Sequence, residues 1–177
     1  MFKINSNFAI AAIAIMMVLT SCKTMTKVAD PCNGGKYKTD KNYYRGRFMG
    51  QSVREDVALE QAKFGAREEL GSQIKTNVQM VNDRFLADYA KNVSEELKMK
   101  FIKMTRQIVE VVLMDSYPIC EEPYFHRKDG YFKYYVVMEM SKEDYLNKLK
   151  QELSKDEELE INFEMEDYQK TFDKIFD

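Results

Sequence analysis

The sequence predicts an α+β fold in which long helices pack on a small antiparallel sheet. Residues 43–50 and 131–140 show the two-residue period of strands. Between them, apolar side chains recur every three or four residues over two long stretches, which is the period of a helix. One strand, two helices, a hairpin and a closing helix therefore follow one another along the chain.

The size and composition of the chain restrict its architecture and its chemistry. Its 177 residues allow one ordinary domain with appendages. The 27 Lys and Arg residues nearly balance the 29 Asp and Glu residues, so no strong field favours nucleic acid as a partner. With His126 as the only histidine and 3 cysteines, most metal cages and histidine-based catalytic sets are excluded. We therefore expect no metal site, no cofactor and no catalytic residue.

The N-terminal segment has the features of an export signal. Lys3 precedes an apolar run over residues 8–19, which is too short to remain in a bilayer as a spanning helix. The run ends in Leu19-Thr20-Ser21-Cys22, which resembles the lipobox of bacterial lipoproteins. We therefore expect a signal peptide over residues 1–21 and a lipid anchor on Cys22. A soluble secreted protein cut near Ser21 is the alternative.

The residues after Cys22 predict where the anchor is held. An aspartate directly after the lipidated cysteine would resemble an inner-membrane retention signal, but this position is Lys23. The acidic cluster of some surface-exported lipoproteins is also missing. The expected location is the periplasmic face of the outer membrane. Residues 22–42 are polar, contain Pro31 and Gly34-Gly35 and show no period, as expected of a flexible tether.

The first predicted strand and helix follow this tether. Residues 43–50 place Arg45 and Arg47 on one face of the strand. The opposite face carries Tyr44, Gly46, Phe48 and Gly50. Ser52 is the expected N-cap of a helix. One side of that helix carries small and apolar residues in steps of four, namely Ala58, Ala62, Ala66, Leu70, Ile74 and Val78. Gly65 and Gly71 are expected to serve close packing, with a flexible hinge as the alternative.

A second helix is predicted by apolar residues in steps of three and four. These residues are Phe85, Tyr89, Val93, Leu97, Phe101, Met104, Ile108 and Val112. Asn82-Asp83 and residues 92–94 are the two places where this helix could begin or break, because short polar side chains favour helix caps. The β-branched stretch 108–113 could instead form a strand.

A hairpin and a closing helix complete the predicted domain. Two prolines in residues 117–127 remove backbone donors, so this stretch should be an edge or irregular strand. Asp129-Gly130 predicts the turn, and residues 131–140 predict the second strand of the hairpin. Ser141 is the expected cap of the following helix.

The acidic C-terminal segment, residues 154–177, is expected to form one amphipathic helix. Its apolar stripe consists of Ile161, Met165, Tyr168, Phe172, Ile175 and Phe176. Nine acidic residues against three lysines oppose contact with an anionic membrane. We expect the stripe to cover the domain's own core in preference to docking into a partner. A short strand over residues 159–165 is a further alternative.

The order of these elements resembles a known family. A strand ending in Phe48-Met49-Gly50-Gln51, a helix with Ala66-Arg67-Glu68-Glu69-Leu70, a second helix and a tyrosine-rich last strand resemble the twenty-kilodalton family of bacterial outer-membrane lipoproteins. The N-terminal domain of flagellar assembly protein T is similar. The resemblance covers about residues 43–153. It implies a small α+β domain without known enzymatic activity, and it supplies no catalytic residues. Cys32, Cys120 and the acidic C-terminal segment depart from it.

Three groups of residues are candidates for a structural or binding role. Cys32 and Cys120 are expected to form a disulfide, because the exported compartment is oxidising, although Cys32 in the tether could stay free. Arg45 and Arg47 are expected to lie on an ordinary solvated sheet face, the binding of an anionic envelope polymer being the alternative. The hairpin tyrosines are candidates for a protein-binding surface, in particular Tyr124, Tyr131 and Tyr135.

His126 is expected to be a solvated residue at a strand end, and Glu121-Glu122 are expected to be two exposed edge-strand charges. A general base at His126, oriented by these glutamates, is the alternative. Recognisable phosphate-binding, nucleophile and metal motifs are absent from the sequence. The expectation is therefore a non-enzymatic outer-membrane lipoprotein whose domain faces the periplasm as a structural or assembly partner of another envelope protein. The alternative is a regulator of a peptidoglycan-synthesising or surface-machine enzyme, and a hydrolase is the third class.

Overall fold

The computed structural model describes residues 31–176 and confirms the α+β class. Three antiparallel strands form one sheet in the order β1-β3-β2, with β1 at Tyr43–Ser52, β2 at Tyr117–His126 and β3 at Tyr131–Ser141. Five α-helices lie within the described range. They are α1 (Glu55–Tyr89), α2 (Glu95–Met114), α3 (Lys142–Leu153), α4 (Glu157–Asn162) and α5 (Met165–Phe176).

Two sequence predictions lie outside the part of the chain that the structure describes. They are the signal peptide over residues 1–21 and the lipid anchor on Cys22. Within residues 31–176, no helix combines the length and the apolar content that a membrane span requires.

The most hydrophobic strand, β3, lies at the centre of the sheet. It pairs with β1 over its whole length and with β2 through the hairpin turn, where Gly130 adopts a φ of 67°. The other hairpin strand, β2, is an edge strand with a register shift between Pro118 and Cys120. This irregular edge confirms the expectation from the two prolines, because proline cannot donate to a neighbouring strand.

Helix α1 crosses β1 at backbone contact, which explains the small residues on both elements. A Cβ atom on Gly46 would overlap the carbonyl oxygen of Ala66, and one on Gly50 would overlap the carbonyl oxygen of Ala58. All six residues of the predicted stripe, from Ala58 to Val78, are buried. The ring of Phe48 occupies the space beside Gly65 in the same interface. The close-packing interpretation of the helix glycines is therefore confirmed at this position.

The start of α1 differs from the sequence prediction. Ser52 is the last residue of β1, paired with Phe132, and the helix begins at Glu55 with Arg54 as its N-cap. The Ser52 hydroxyl still accepts a hydrogen bond from the Arg54 amide, at 3.1 Å. The sheet register therefore overrides the capping preference, because the Ser52 backbone is already committed to the strand.

The boundary between α1 and α2 lies at the second of the two predicted places. Helix α1 continues through Asn82 to Tyr89, and Ser94 caps α2 by accepting from the Leu97 amide at 3.3 Å. Asn82 does not end the helix because its side chain is buried and bonded to Thr105 and Tyr168. Residues 108–113 are helical, so the strand alternative for them is wrong.

The C-terminal segment folds onto the domain as two helices. The break falls at Phe163, whose ring stacks on Phe101 of α2 at a centroid distance of 4.6 Å. Tyr168 and Phe172 are buried in the main core, which confirms self-packing and makes docking of the stripe into a partner wrong. Ile161 departs from the predicted stripe, because it is 73% exposed. The strand alternative for residues 159–165 is also wrong.

Candidate binding surface

The two faces of the sheet differ in what covers them. Helix α1 lies against the inner face, which carries Tyr44 and the buried side chains of Val136 and Met138. The outer face carries the opposite side chains of each strand. Residues 31–42 lie on this outer face and leave its hairpin half uncovered, and we call that half the hairpin surface.

A disulfide fixes the N-terminal segment to the outer face. Cys32 and Cys120 are bonded, with a Cα–Cα distance of 5.9 Å. The two cysteines form a small hydrophobic cluster with Val137, against which Tyr37 and Tyr135 pack. The predicted flexible tether over residues 22–42 therefore needs correction, because its second half from Pro31 belongs to the folded unit.

Arg45 is a structural residue, so both the expected solvated position and the alternative role in binding an anionic polymer are wrong for it. Its Nε donates to Glu139 on β3 at 2.5 Å, and its Nη1 donates to Asp40 at 2.6 Å. Nη1 also donates to the carbonyl oxygen of Lys38. The Arg45 side chain is only 8% exposed. These bonds hold residues 38–40 on the sheet and leave no open guanidinium edge for a ligand.

The charges around this pair shift two pKa values. The hydrogen bond from Arg45 holds the pKa of the Asp40 carboxyl below its ordinary value. On the other side, the Tyr117 hydroxyl donates to Glu139 at 2.9 Å, and this bond raises the pKa of Tyr117. Glu139 thus joins β1, β2 and the N-terminal segment in one network.

Arg47 is also engaged within the protein. Its Nη2 donates to the carbonyl oxygen of Pro31 at 3.1 Å, and its guanidinium lies over the ring of Tyr135 at 5.7 Å. Tyr135 is thereby partly covered by both Arg47 and the disulfide cluster. Of the five predicted surface residues, Arg45 and Arg47 hold the N-terminal segment, and Tyr124 and Tyr131 remain at the open end.

The hairpin surface combines aromatic rings with cations. Tyr131 stacks on the His126 ring at 4.9 Å, and the Lys133 ammonium lies 5.6 Å from the Tyr131 ring centroid. Tyr124, opposite Lys133 in the register, is 47% exposed. His126 Nδ1 lies 2.9 Å from the Asp129 carboxylate. The acidic side chain beside the histidine is therefore that of Asp129, and the alternative in which Glu121-Glu122 orient the ring is wrong.

The two glutamates of β2 point to different sides of the sheet. Glu121 forms an ion pair with Lys63 of α1 at 2.9 Å, so it belongs to the helix-covered side. Its neighbour Glu122 follows the opposite direction of the alternation, opposite Tyr135. This separation is a further reason why the pair cannot act together on His126.

A groove between α1 and α2 is a feature that the sequence did not reveal. One part, of about 500 Å³, is lined by Phe64, Arg67, Gly71, Leu113 and Met114. A second part, of about 360 Å³, contains Asn82 and Arg106. The ion pair between Lys75 and Glu110, at 2.7 Å, crosses between the two parts.

The groove has two strongly exposed apolar side chains at one end. Phe64 is 64% exposed and Met114 is 73% exposed. Gly71 lets Leu113 approach α1 closely, because a Cβ at this position would lie 3.0 Å from Cδ1 of Leu113. The sequence places Phe64 off the buried stripe of α1, which indicates an exposed apolar side chain. It does not identify α2 as the opposite wall of the groove.

The fold and these surfaces define an α+β protein with two separate exposed faces, the hairpin surface and the α1–α2 groove. Comparisons with protein-family models and with curated proteins find no match to this chain. Among residues 31–176, no group of three or more Cys, His, Asp or Glu side chains is placed to hold a metal ion.

Proposed function

We propose that the protein is a non-enzymatic lipoprotein, anchored through Cys22 at the periplasmic face of the outer membrane, whose domain binds another protein of the cell envelope. The observation that carries the binding role is the groove between α1 and α2. Exposed apolar side chains are normal when scattered, but a concave groove with Phe64 and Met114 at one end has the chemistry of a protein contact.

The rim of the groove supports a specific contact. Arg67, Glu68 and Lys75 border the apolar floor, so a partner could bury apolar residues at the centre and pair charges at the edge. A helix laid in the groove would present apolar residues one turn apart, which could pack on Phe64, Leu113 and Met114. The expected occupant is therefore an amphipathic segment of a second protein.

Two other observations support the envelope location. The disulfide between Cys32 and Cys120 is of the kind that persists in an oxidising, exported compartment. The apolar segment ending at Cys22 supplies the export signal and the acyl acceptor.

In-cell photo-crosslinking tests the partner site. A photoreactive side chain is placed at position 64 or at position 114, and position 161 serves as the control because Ile161 is equally apolar and exposed. We expect positions 64 and 114 to capture the same envelope protein and position 161 not to capture it. Capture of that protein from all three positions, or of no protein from 64 and 114, would contradict a binding groove.

The anchor is tested separately. Cys22→Ala should abolish fatty-acid labelling and release the protein from the membrane fraction. A variant that keeps its membrane attachment would disprove the lipid anchor without bearing on the groove.

A further inference from the structure

We propose that the hairpin surface lies against the anionic headgroups of the membrane that carries the anchor, so that the domain stands on the bilayer with the α1–α2 groove free to bind. This inference rests on the proposed lipid anchor. It assigns a ligand to the surface of Tyr124, Tyr131 and Lys133 and separates that surface from the protein-binding groove.

The length of the chain before the domain limits the height of the domain above the membrane. Cys32 is ten positions after Cys22, and a fully extended chain over ten positions spans about 33–36 Å. The disulfide then holds Cys32 against β2 on the outer face of the sheet. The chain therefore joins the folded unit on the outer face of the sheet, within that distance of the proposed anchor.

Residues 31–40 run across the outer face towards its hairpin half. Asp40 bonds to Tyr43 at the start of β1, and Lys38 bonds to Arg45. Pro31 bonds to Arg47, farther along β1. Followed back from Asp40 to Pro31, the described chain runs in the direction of the hairpin and reaches the middle of the sheet, where Arg47 lies opposite Val137.

The hairpin surface has the composition of a headgroup contact. Tyr124 and Tyr131 present amphipathic rings of the kind that settle at membrane interfaces. Arg127, Lys128 and Lys133 stand against Glu122 and Asp129, a local balance of three minus two, or plus one, in a chain with a net charge of −2. Basic side chains beside an acyl anchor add attraction to anionic lipid.

The distribution of charge along the molecule orients the domain in the same direction. Helix α1 begins beside the hairpin, where the Tyr134 hydroxyl donates to Glu55, and its 35 residues place its other end about 51 Å away. The acidic helices α4 and α5 pack at that far end, because Phe85 contacts Phe163 and Tyr168. An anionic surface would therefore repel the far end and attract the hairpin.

Tryptophan fluorescence can test this orientation directly, because the chain has no tryptophan. Full-length lipidated protein carrying Tyr131→Trp is reconstituted into vesicles of phosphatidylethanolamine and phosphatidylglycerol that contain a lipid with a nitroxide on its headgroup. Tyr124→Trp provides a second position on the surface. Tyr89→Trp is the matched control, because Tyr89 is comparably exposed but lies at the far end of α1.

We expect the nitroxide to quench the fluorophore at positions 131 and 124 severalfold more than at position 89. Replacing Lys128 and Lys133 by Glu should reduce the quenching at position 131 while the protein stays attached. Attached protein with equal quenching at positions 131 and 89 would overturn the inference and leave the lipid anchor intact. Loss of quenching at position 131 because a second copy of the chain or residues 23–30 cover the surface would overturn the inference as well. Protein that fails to sediment with the vesicles would instead overturn the anchor, and the inference with it.

Discussion

Arg45 on β1 and Glu139 on β3 form a buried ion pair across the outer face of the sheet, with 2.5 Å between Nε and Oε2. The pair is at most 9% exposed on either side, and Asp40 and Tyr117 satisfy further polar atoms of the two residues. Such a pair is stable only while both members and their hydrogen bonds are present. It therefore connects the stability of the sheet to the position of the N-terminal segment.

Removing one member of this ion pair should destabilise the domain more than replacing both members by apolar residues. We expect Arg45→Met to lower the free energy of unfolding by about 3 kcal/mol, because the Glu139 carboxylate would stay buried without its cation. The double variant Arg45→Met with Glu139→Leu should lose less. Urea unfolding of the wild type, Arg45→Met, Glu139→Leu and the double variant measures the difference. Arg54→Met is the control, since its ion pair with Asp56 is exposed and its loss should leave stability unchanged. A double variant that loses the sum of both single effects would argue against a coupled pair.

The disulfide should contribute mainly by restricting the unfolded chain. Cys32 and Cys120 are 88 residues apart, and the chain-entropy relation gives about 4.6 kcal/mol for a loop of this length. Cys32→Ser and Cys120→Ser should each lower the free energy of unfolding by an amount of this order. Because both remove the same bond, the double variant should be no less stable than either single one. Additive losses in urea titrations would show that each cysteine acts by itself.

The C-terminal helix α5 should be required for the stability of the core. Phe172 is 3% exposed and contacts Tyr145 and Phe176, so Phe172→Ala should lower the free energy of unfolding by about 3–5 kcal/mol. Ile161→Ala, which removes an exposed apolar residue of the same acidic segment, should leave the melting temperature unchanged. Equal melting temperatures for the two variants would mean that the segment is only loosely attached.

The buried tyrosines predict a loss of stability in alkali. Burial raises the pKa of Tyr44 to about 12, and it raises the pKa values of Tyr145 and Tyr168 above their ordinary range. Tyrosines in the unfolded chain ionise near pH 10. The stability that the buried tyrosines contribute is therefore complete below that pH and falls as the pH rises towards their folded-state pKa values.

Tyr145→Phe removes one of these groups, whose hydroxyl lies 3.0 Å from that of Tyr168. Above pH 10, the free energy of unfolding of the variant should fall less steeply with pH than that of the wild type, by up to about 1.4 kcal/mol per pH unit. Urea titrations at several pH values between 8 and 11 would measure this slope. An identical slope in both proteins would exclude Tyr145 as a source of the alkaline instability.

The sequence by itself determined the local structure of this protein wherever one periodicity was unopposed. The alanine stripe of α1, the Asp129-Gly130 turn, the edge position of β2 and the Ser94 and Ser141 caps follow from side-chain volume, backbone conformation and capping chemistry. Each depends on neighbours within a few residues, so no knowledge of the rest of the chain was needed.

Only the tertiary structure decided what residues distant in sequence do together. Arg45 changed from a ligand candidate to a structural residue because Glu139 lies opposite it across the sheet, 94 positions later. Asn82 stayed inside α1 because Thr105 and Tyr168 satisfy its amide. Residues 31–42 became part of the domain because Cys120 and Arg45 hold them. In each case the deciding interaction is a buried polar contact or covalent bond between elements, and such pairing leaves no periodic signal in a single sequence.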